Sequence, residues 1–160
     1  MPPSDLLPPD TTAALSPDGL VGRHVVTVEW GDCDPAGIIY YPTYFKWWDQ
    51  STWRLFWAVG IDRATMRDAM GGVEMPILNA AGTFESTVTP GDRLTVESRV
   101  ERWGGSSFTV AHRAVRADGS VVAHGKETRC WTVGSLREPG KLKAQRVPDE
   151  IVSKMGGRRS

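Results

Sequence analysis

A chain of 160 residues, 40% of them apolar, is long enough to bury a core as a single domain without staples. Its 19 basic and 19 acidic residues cancel, which excludes an overall field that recruits nucleic acid or an anionic membrane. With no run of roughly 18 apolar residues to span a bilayer and two cysteines, Cys33 and Cys130, outside any CxxC pair, the expectation is a cytoplasmic protein with free thiols, no disulfide frame and no metal.

The chain opens on MPPSDLLPPDTTAALSPDG, rich in Pro, Ser and Asp, with neither a basic start nor an apolar stretch. It predicts a flexible tail over residues 1–22 ahead of a domain over 23–155, and a short tail over 156–160. HVVTVEW, residues 24–30, alternates as a strand. From Pro42 to Ala58 the aromatic and aliphatic residues occupy nearly every direction around a helix, with Gly60 as its stop, so that helix must be buried on most sides. A second short helix is expected over Arg63–Met70, with Asp62 as N-cap and Gly71 as its end. TFESTVT, RLTVESRVERW, SSFTVAHRAVR and SVVAHGKETRCWTV then read as four strands separated by PGD, GG and ADG turns. VPDEIVSKMGG closes the chain as a short helix with Pro148 in its first turn and Gly156 at its end.

This order gives an α+β fold, one antiparallel sheet wrapping one long central helix. A single sheet layer leaves its edges bare, so pairing with a second copy is expected.

The joint between first strand and long helix, GDCDPAGIIYYP, carries the chemistry-bearing residues. Asp, Pro and Gly together make turns, and composition alone needs nothing more. The functional reading is geometric. Pro35 biases Asp34 toward extended backbone, Gly37 permits close approach of a ligand, and Pro42 lacks an N–H, so the free donors at the positive end of the helix dipole include the backbone of Tyr41 and of the next residues inward. A carboxylate beside a helix N-terminus supplies a group to attack an acyl carbon or activate water, and donors for the developing oxyanion. Cys33, between two aspartates, is disfavoured as a thiolate and reads as a packing residue. His112 and His124 read as ordinary strand residues, and most of the seven tryptophans, Trp47 and Trp48 included, as core.

The string VEWGDCDPAGIIYYPTYFKWWD resembles the signature of the 4-hydroxybenzoyl-CoA thioesterase family. The similarity extends from about residue 24 to 153 and includes MPI at 75–77, TVE at 95–97 and the pair Ser107–Phe108. The resemblance implies the hotdog fold and hydrolysis of an acyl-CoA thioester, coenzyme A being part of the substrate and no cofactor being needed. Residue by residue, it makes Asp34 the catalytic carboxylate, as nucleophile or as general base, and the backbone N–H of Tyr41 the group that polarises the carbonyl. Gly37 and Pro42 flank the substrate. Asp49 matches the acid that contacts a ring hydroxyl; seven residues beyond Pro42, it lies about 10 Å along the helix axis, the length of an aromatic acyl group. Asp32 shapes the loop. The family's basic cluster for the nucleotide phosphates is replaced by Gly104, Gly105 and Ser106, with Ser107 retained. A glycine-turn nest over Gly105, Ser106 and Ser107 is the expected CoA contact, with Arg102, Lys126, Arg158 or Arg159 as substitute cations. A homodimer or dimer-of-dimers tetramer is implied.

Three other readings compete: a thioesterase of short aliphatic or acyl-carrier-protein substrates, a non-catalytic acyl-CoA-binding hotdog domain, and a hotdog dehydratase. The presence of Asp34 argues against the binder. No histidine stands within or directly after GDCDPAG, which argues against the dehydratase.

Overall fold

The computed structural model describes residues 6–159 apart from 136 and 139. The chain runs through β1 (Thr11–Ser16), β2 (Gly19–Thr27), the long helix α1 (Pro42–Ala58), a π-helical turn over Thr65–Ala69, β3 (Val73–Glu74), β4 (Ile77–Phe84), β5 (Arg93–Trp103), β6 (Ser107–Val115), β7 (Val121–Cys130), β8 (Thr132–Val133), β9 (Lys143–Ala144) and α2 (Asp149–Lys154). Six strands form one antiparallel sheet in the order β1-β2-β5-β6-β7-β4, and β3-β8-β9 form a small second sheet. The large sheet wraps α1, the expected α+β arrangement.

Pro42 occupies the first turn of α1, where its missing N–H costs nothing, and Gly60 ends the helix with φ +81°. Asp62 caps the short helix that follows, its Oδ1 accepting the Thr65 N–H at 2.7 Å. The N-terminal half of α1 buries Tyr44, Trp47 and Trp48 with Val26, Leu94, Val96 and Val122. Its C-terminal half buries Leu55, Phe56 and Ala58 with Phe108, Trp131 and Ile151. Between the two apolar clusters lies a belt of buried polar side chains: His24, Ser51, Thr52, Ser98, His112, Glu127 and Arg129.

The sequence-based expectation fails in four places. Residues 11–22, expected as tail, form a hairpin: β1 pairs with β2 from Thr11↔His24 to Ser16↔Gly19, and Gly19 turns the chain at φ +105°. The backbone ladder, not burial, holds this edge strand, so its composition carries little strand signal. The end of the chain also returns to the body, with Trp103 and Arg159 forming a parallel bridge. The strand expected at TFESTVT lies earlier, over Ile77–Phe84. All eight of its residues are exposed, which erases the alternation that reports a half-buried strand. Trp30, expected at the end of β2, is instead exposed in a 3-10 turn over Trp30–Asp32.

Candidate active site

The 3-10 turn after β2 delivers the chain to the joint. Asp32 is used by the loop: its Oδ2 accepts the Glu29 N–H at 3.0 Å, while its carbonyl accepts the Tyr40 N–H at 2.8 Å and the Thr43 hydroxyl at 3.2 Å. Asp34 then opens a tight reversal. Its N–H donates to Ile38 O and its carbonyl accepts the Gly37 N–H, both at 2.9 Å, and Gly37 sits at φ +76°. No atom lies within 4 Å of a Cβ built at Gly37, so glycine is needed there for the left-handed backbone and not for a crowded neighbour.

Asp34 is half-buried as a residue. Oδ1 accepts the Ala36 N–H at 2.8 Å, an Asx-type turn that fixes the side chain. Oδ2 makes no hydrogen bond among the described residues.

The donors at the start of α1 are fewer than sequence reasoning expects. Ile39 N–H donates to Val88 O, Tyr40 N–H to Asp32 O, Thr43 N–H to Tyr40 O and Tyr44 N–H to Tyr41 O, and Pro42 has none to give. The next residues inward are thus already satisfied by tight i→i−3 bonds. Among the described residues the Tyr41 N–H is the one donor of this stretch without an acceptor. A pocket of about 400 Å³ is lined by Asp34, Ile38, Ile39, Tyr41, Tyr44, Phe84 and the segment Glu85–Thr87. Three aromatic rings stand in its wall: Tyr41 and Tyr44 both pack on Phe84, with ring centroids 5.9 and 5.5 Å apart. Burial pushes the Tyr44 phenol up to about 12, so it stays protonated.

Asp49 is not in that pocket. Its Oδ1 accepts a hydrogen bond from Arg129 Nη2 at 2.6 Å, and Arg129 faces Ile77, at the opposite end of β4 from Phe84. Behind it lies a network that the sequence reading missed. Arg129 Nε and Nη2 both donate to Glu127 Oε2, at 3.2 and 2.8 Å, and Thr52 Oγ1 donates to the same oxygen at 3.0 Å. Burial disfavours the Glu127 carboxylate, but His112 and the Arg129 charge outweigh that and hold it below its ordinary value. Burial lowers the His112 pKa, against the opposing pull of Glu127; its Nδ1 shares a 2.7 Å hydrogen bond with Ser98 Oγ, and its Nε2 lies 3.5 Å from Glu127. The available signal was parity: Ala123, Gly125, Glu127 and Arg129 share one face of β7, so the core face of an alternating strand carries two opposite charges.

Cys33 is half-buried and free; loss of solvent, then the carboxylates of Asp32 and Asp34, push its thiol up, in line with a packing residue. His124 lies on the exposed surface, 3.0 Å from Glu85.

At the β5–β6 turn, Gly104 N–H donates to Ser107 O at 2.7 Å, Ser106 O accepts from Trp131 and Gly105 O from Val147. The N–H groups of Gly105 and Ser106 have no acceptor among the described residues. Of the expected substitute cations, Lys126 is paired with Glu101 at 2.7 Å, and Arg102 and Arg158 are exposed. Arg159 comes to the turn: its Nη1 donates to the carbonyls of Gly104 and Gly105, its Nη2 to Val147 O, and its Nε to Asp149 at 2.7 Å.

Comparison with known proteins places this geometry. Residues 28–155 match the family model of the thioesterase-like superfamily. The 4-hydroxybenzoyl-CoA thioesterase of Pseudomonas sp. (strain CBS-3) is 31% identical over 131 residues, 78% of this chain and 90% of that protein. A 1,4-dihydroxy-2-naphthoyl-CoA hydrolase of Prochlorococcus marinus (strain MIT 9313) is 28% identical over 61% of this chain and 68% of its own. A crystal structure of a 4-hydroxybenzoyl-CoA thioesterase variant in complex with 4-hydroxybenzoyl-CoA superimposes with a TM-score of 0.74 at 26% identity, covering 84% of this chain and 98% of that one. The chain, with its sheet-wrapped helix, thus belongs to the thioesterase-like superfamily and is a hotdog-fold acyl-CoA thioesterase.

Proposed function

We propose that the protein hydrolyses an aromatic acyl-CoA thioester, of the 4-hydroxybenzoyl class, to the free acid and CoA. The observation that carries the reading is that one pocket is lined both by Asp34, whose Oδ2 makes no hydrogen bond among the described residues, and by Tyr41, whose amide has no acceptor among them. The Tyr41 N–H, at the positive end of the helix dipole, donates a hydrogen bond to the thioester oxygen, a bond that gains strength as that oxygen becomes an oxyanion. Asp34 Oδ2 either attacks the carbonyl carbon, expelling CoA thiolate and leaving a mixed anhydride that water cleaves, or takes a proton from an attacking water. The similarity to 4-hydroxybenzoyl-CoA thioesterase and the two tyrosines and Phe84 lining the pocket support an aromatic acyl group.

Two copies complete the site. β4 is an edge of the six-stranded sheet with every residue exposed, Ile77, Leu78 and Phe84 among them, and such an edge invites a strand. Antiparallel pairing of β4 with itself across a two-fold axis sets the Phe84 end of one copy against the Ile77 end of the other. The Asp34–Tyr41 pocket then faces the partner's Asp49, which meets the ring hydroxyl of the acyl group. At the other end of the substrate, the free amides of Gly105 and Ser106, with the Ser107 hydroxyl beside them and the Arg159 charge behind, receive a nucleotide phosphate.

The test is thiol release from 4-hydroxybenzoyl-CoA by wild type and Asp34→Asn. Loss of the charge at constant shape is expected to lower kcat by about 10²–10⁴-fold. A variant that keeps most of its activity would move the chemistry away from Asp34.

A further inference from the structure

The hydrolytic chemistry uses Asp34 and Tyr41 and leaves unexplained why two opposite charges are buried under α1 and tied to a third at its surface. Glu127 and Arg129 are 1% and 2% exposed, yet the carboxylate they reach, Asp49, is 45% exposed. A buried ion pair rarely stabilises a core more than apolar residues of the same volume. Glu127 and Arg129, moreover, already satisfy each other, with Thr52 on the same carboxylate oxygen. The bond to Asp49 is therefore surplus to the needs of the pair.

We infer that Arg129 is a positioning residue: it fixes the Asp49 carboxylate so that one defined oxygen meets the acyl group, and thereby sets the preference for acyl groups bearing a hydrogen-bond donor. The inference rests on the reading of Asp49 as the acid that meets the ring hydroxyl.

The geometry supports each step. The guanidinium is immobile, held by Glu127 through Nε and Nη2 and by the Met75 carbonyl through Nη1 at 3.3 Å. It takes Asp49 Oδ1 at 2.6 Å, while Oδ2 makes no hydrogen bond among the described residues. An aspartate on an open helix surface samples several rotamers, whereas one charge-paired to a fixed fork keeps one. The presented oxygen accepts hydrogen bonds and cannot donate. A hydroxyl on the acyl ring satisfies it, while an unsubstituted ring covers it with carbon and leaves a desolvated, unpaired oxygen, and a site built this way rejects the analogue that lacks the donor.

The experiment compares kcat/KM for 4-hydroxybenzoyl-CoA and benzoyl-CoA in wild type, Asp49→Asn, the double variant Glu127→Met/Arg129→Met, and the triple combination, with a thermal melt of each. The double variant removes the buried charges as a unit, so no lone ion remains in the core. The expected result is a fall of roughly tenfold in the hydroxybenzoyl preference for Asp49→Asn and for the double variant, with no further fall in the triple. Arg129→Lys, which keeps the charge and loses the fork, carries the same comparison if the double variant does not fold, and is expected to lower the preference as well. A wild-type preference in the double variant or in Arg129→Lys, beside a reduced one in Asp49→Asn, overturns the role of Arg129 and leaves that of Asp49 standing. A further fall in the triple shows Arg129 acting independently of Asp49 and also overturns the inference. A wild-type preference in Asp49→Asn overturns the reading of Asp49 and the inference with it.

Discussion

Trp48 lies so close over Gly125 that a Cβ there would stand 2.4 Å from Cη2 of the indole and 2.6 Å from the Ala81 carbonyl oxygen. The same ring stacks on His112 at 5.7 Å with an interplanar angle of 12°. Trp48 is fully buried, and the backbone carbonyl cannot swing aside, so the space must come from displacing α1 away from β7. Gly125→Ala is therefore expected to lower stability by about 1–3 kcal/mol, read from the denaturant midpoint. Because α1 begins at the pocket, kcat should fall as well, at temperatures where the variant is fully folded. Unchanged stability would show that the ring has room that its contacts deny.

Where a residue's burial follows from its own periodicity, the chain could be read directly. The long helix, buried all round and bracketed by Pro42 and Gly60, lies within the expected limits, as does β5. The GDCDPAG joint, with its turn residues and its Pro at the helix start, pointed to the loop on which Asp34 and Tyr41 line one pocket. What stayed hidden depends on partners distant in sequence. β1 exists through its ladder to β2, and β4 lies at an open edge, where exposure removes the pattern. Which amide stays free at the helix start depends on Val88 and Asp32 taking its neighbours. The Asp49–Arg129 bond joins residues 80 apart, and no local spacing announces it.

His24 makes the fold acid-sensitive. It is buried, with Nδ1 3.4 Å from Ser51 Oγ and Nε2 3.5 Å from Asp10. Burial first, then the Arg54 charge, lowers it to about 4 from an ordinary 6.5, against the opposing pull of Asp10. A histidine depressed in the folded state binds its proton more readily when unfolded, so stability is whole above pH 6.5 and drains away as pH falls toward 4. The full loss is about 3 kcal/mol. His24→Gln should lose less stability than wild type between pH 7 and pH 4.5 in chemical denaturation. Parallel losses would place the acid sensitivity elsewhere, on His112 in the first instance, which burial lowers in the same direction.

The exposed edge at β4 predicts an association that activity should follow. Leu78 is 62% exposed, and in the antiparallel pairing a charge there is desolvated against the apolar Phe84 end of the other copy, while the isolated chain's core is left untouched. Leu78→Lys is expected to shift the protein toward monomer in sedimentation velocity and to lower specific activity increasingly on dilution, since the Asp34 pocket loses the partner's Asp49. A Leu78→Lys protein that is monomeric and fully active would show the pocket complete within one chain.

The glycine turn proposed to receive the nucleotide gives the last prediction. Its acceptors are held by Arg159, which spans Gly104, Gly105 and Val147, and its free amides belong to Gly105 and Ser106. A nest of backbone donors with one guanidinium behind it holds a phosphate less firmly than a cluster of surface cations does, since amides carry partial charges only. Truncating the substrate from acyl-CoA to acyl-pantetheine should therefore raise KM by a modest factor, roughly tenfold or less, in line with one or two hydrogen bonds to a charged group. Arg159→Ala should raise KM for the CoA thioester by a similar factor and leave KM for the pantetheine thioester where it was, because the shorter substrate never reaches the turn. If Arg159→Ala raises both equally, the arginine serves the fold by tying the chain's end to the turn, and the phosphate is held elsewhere.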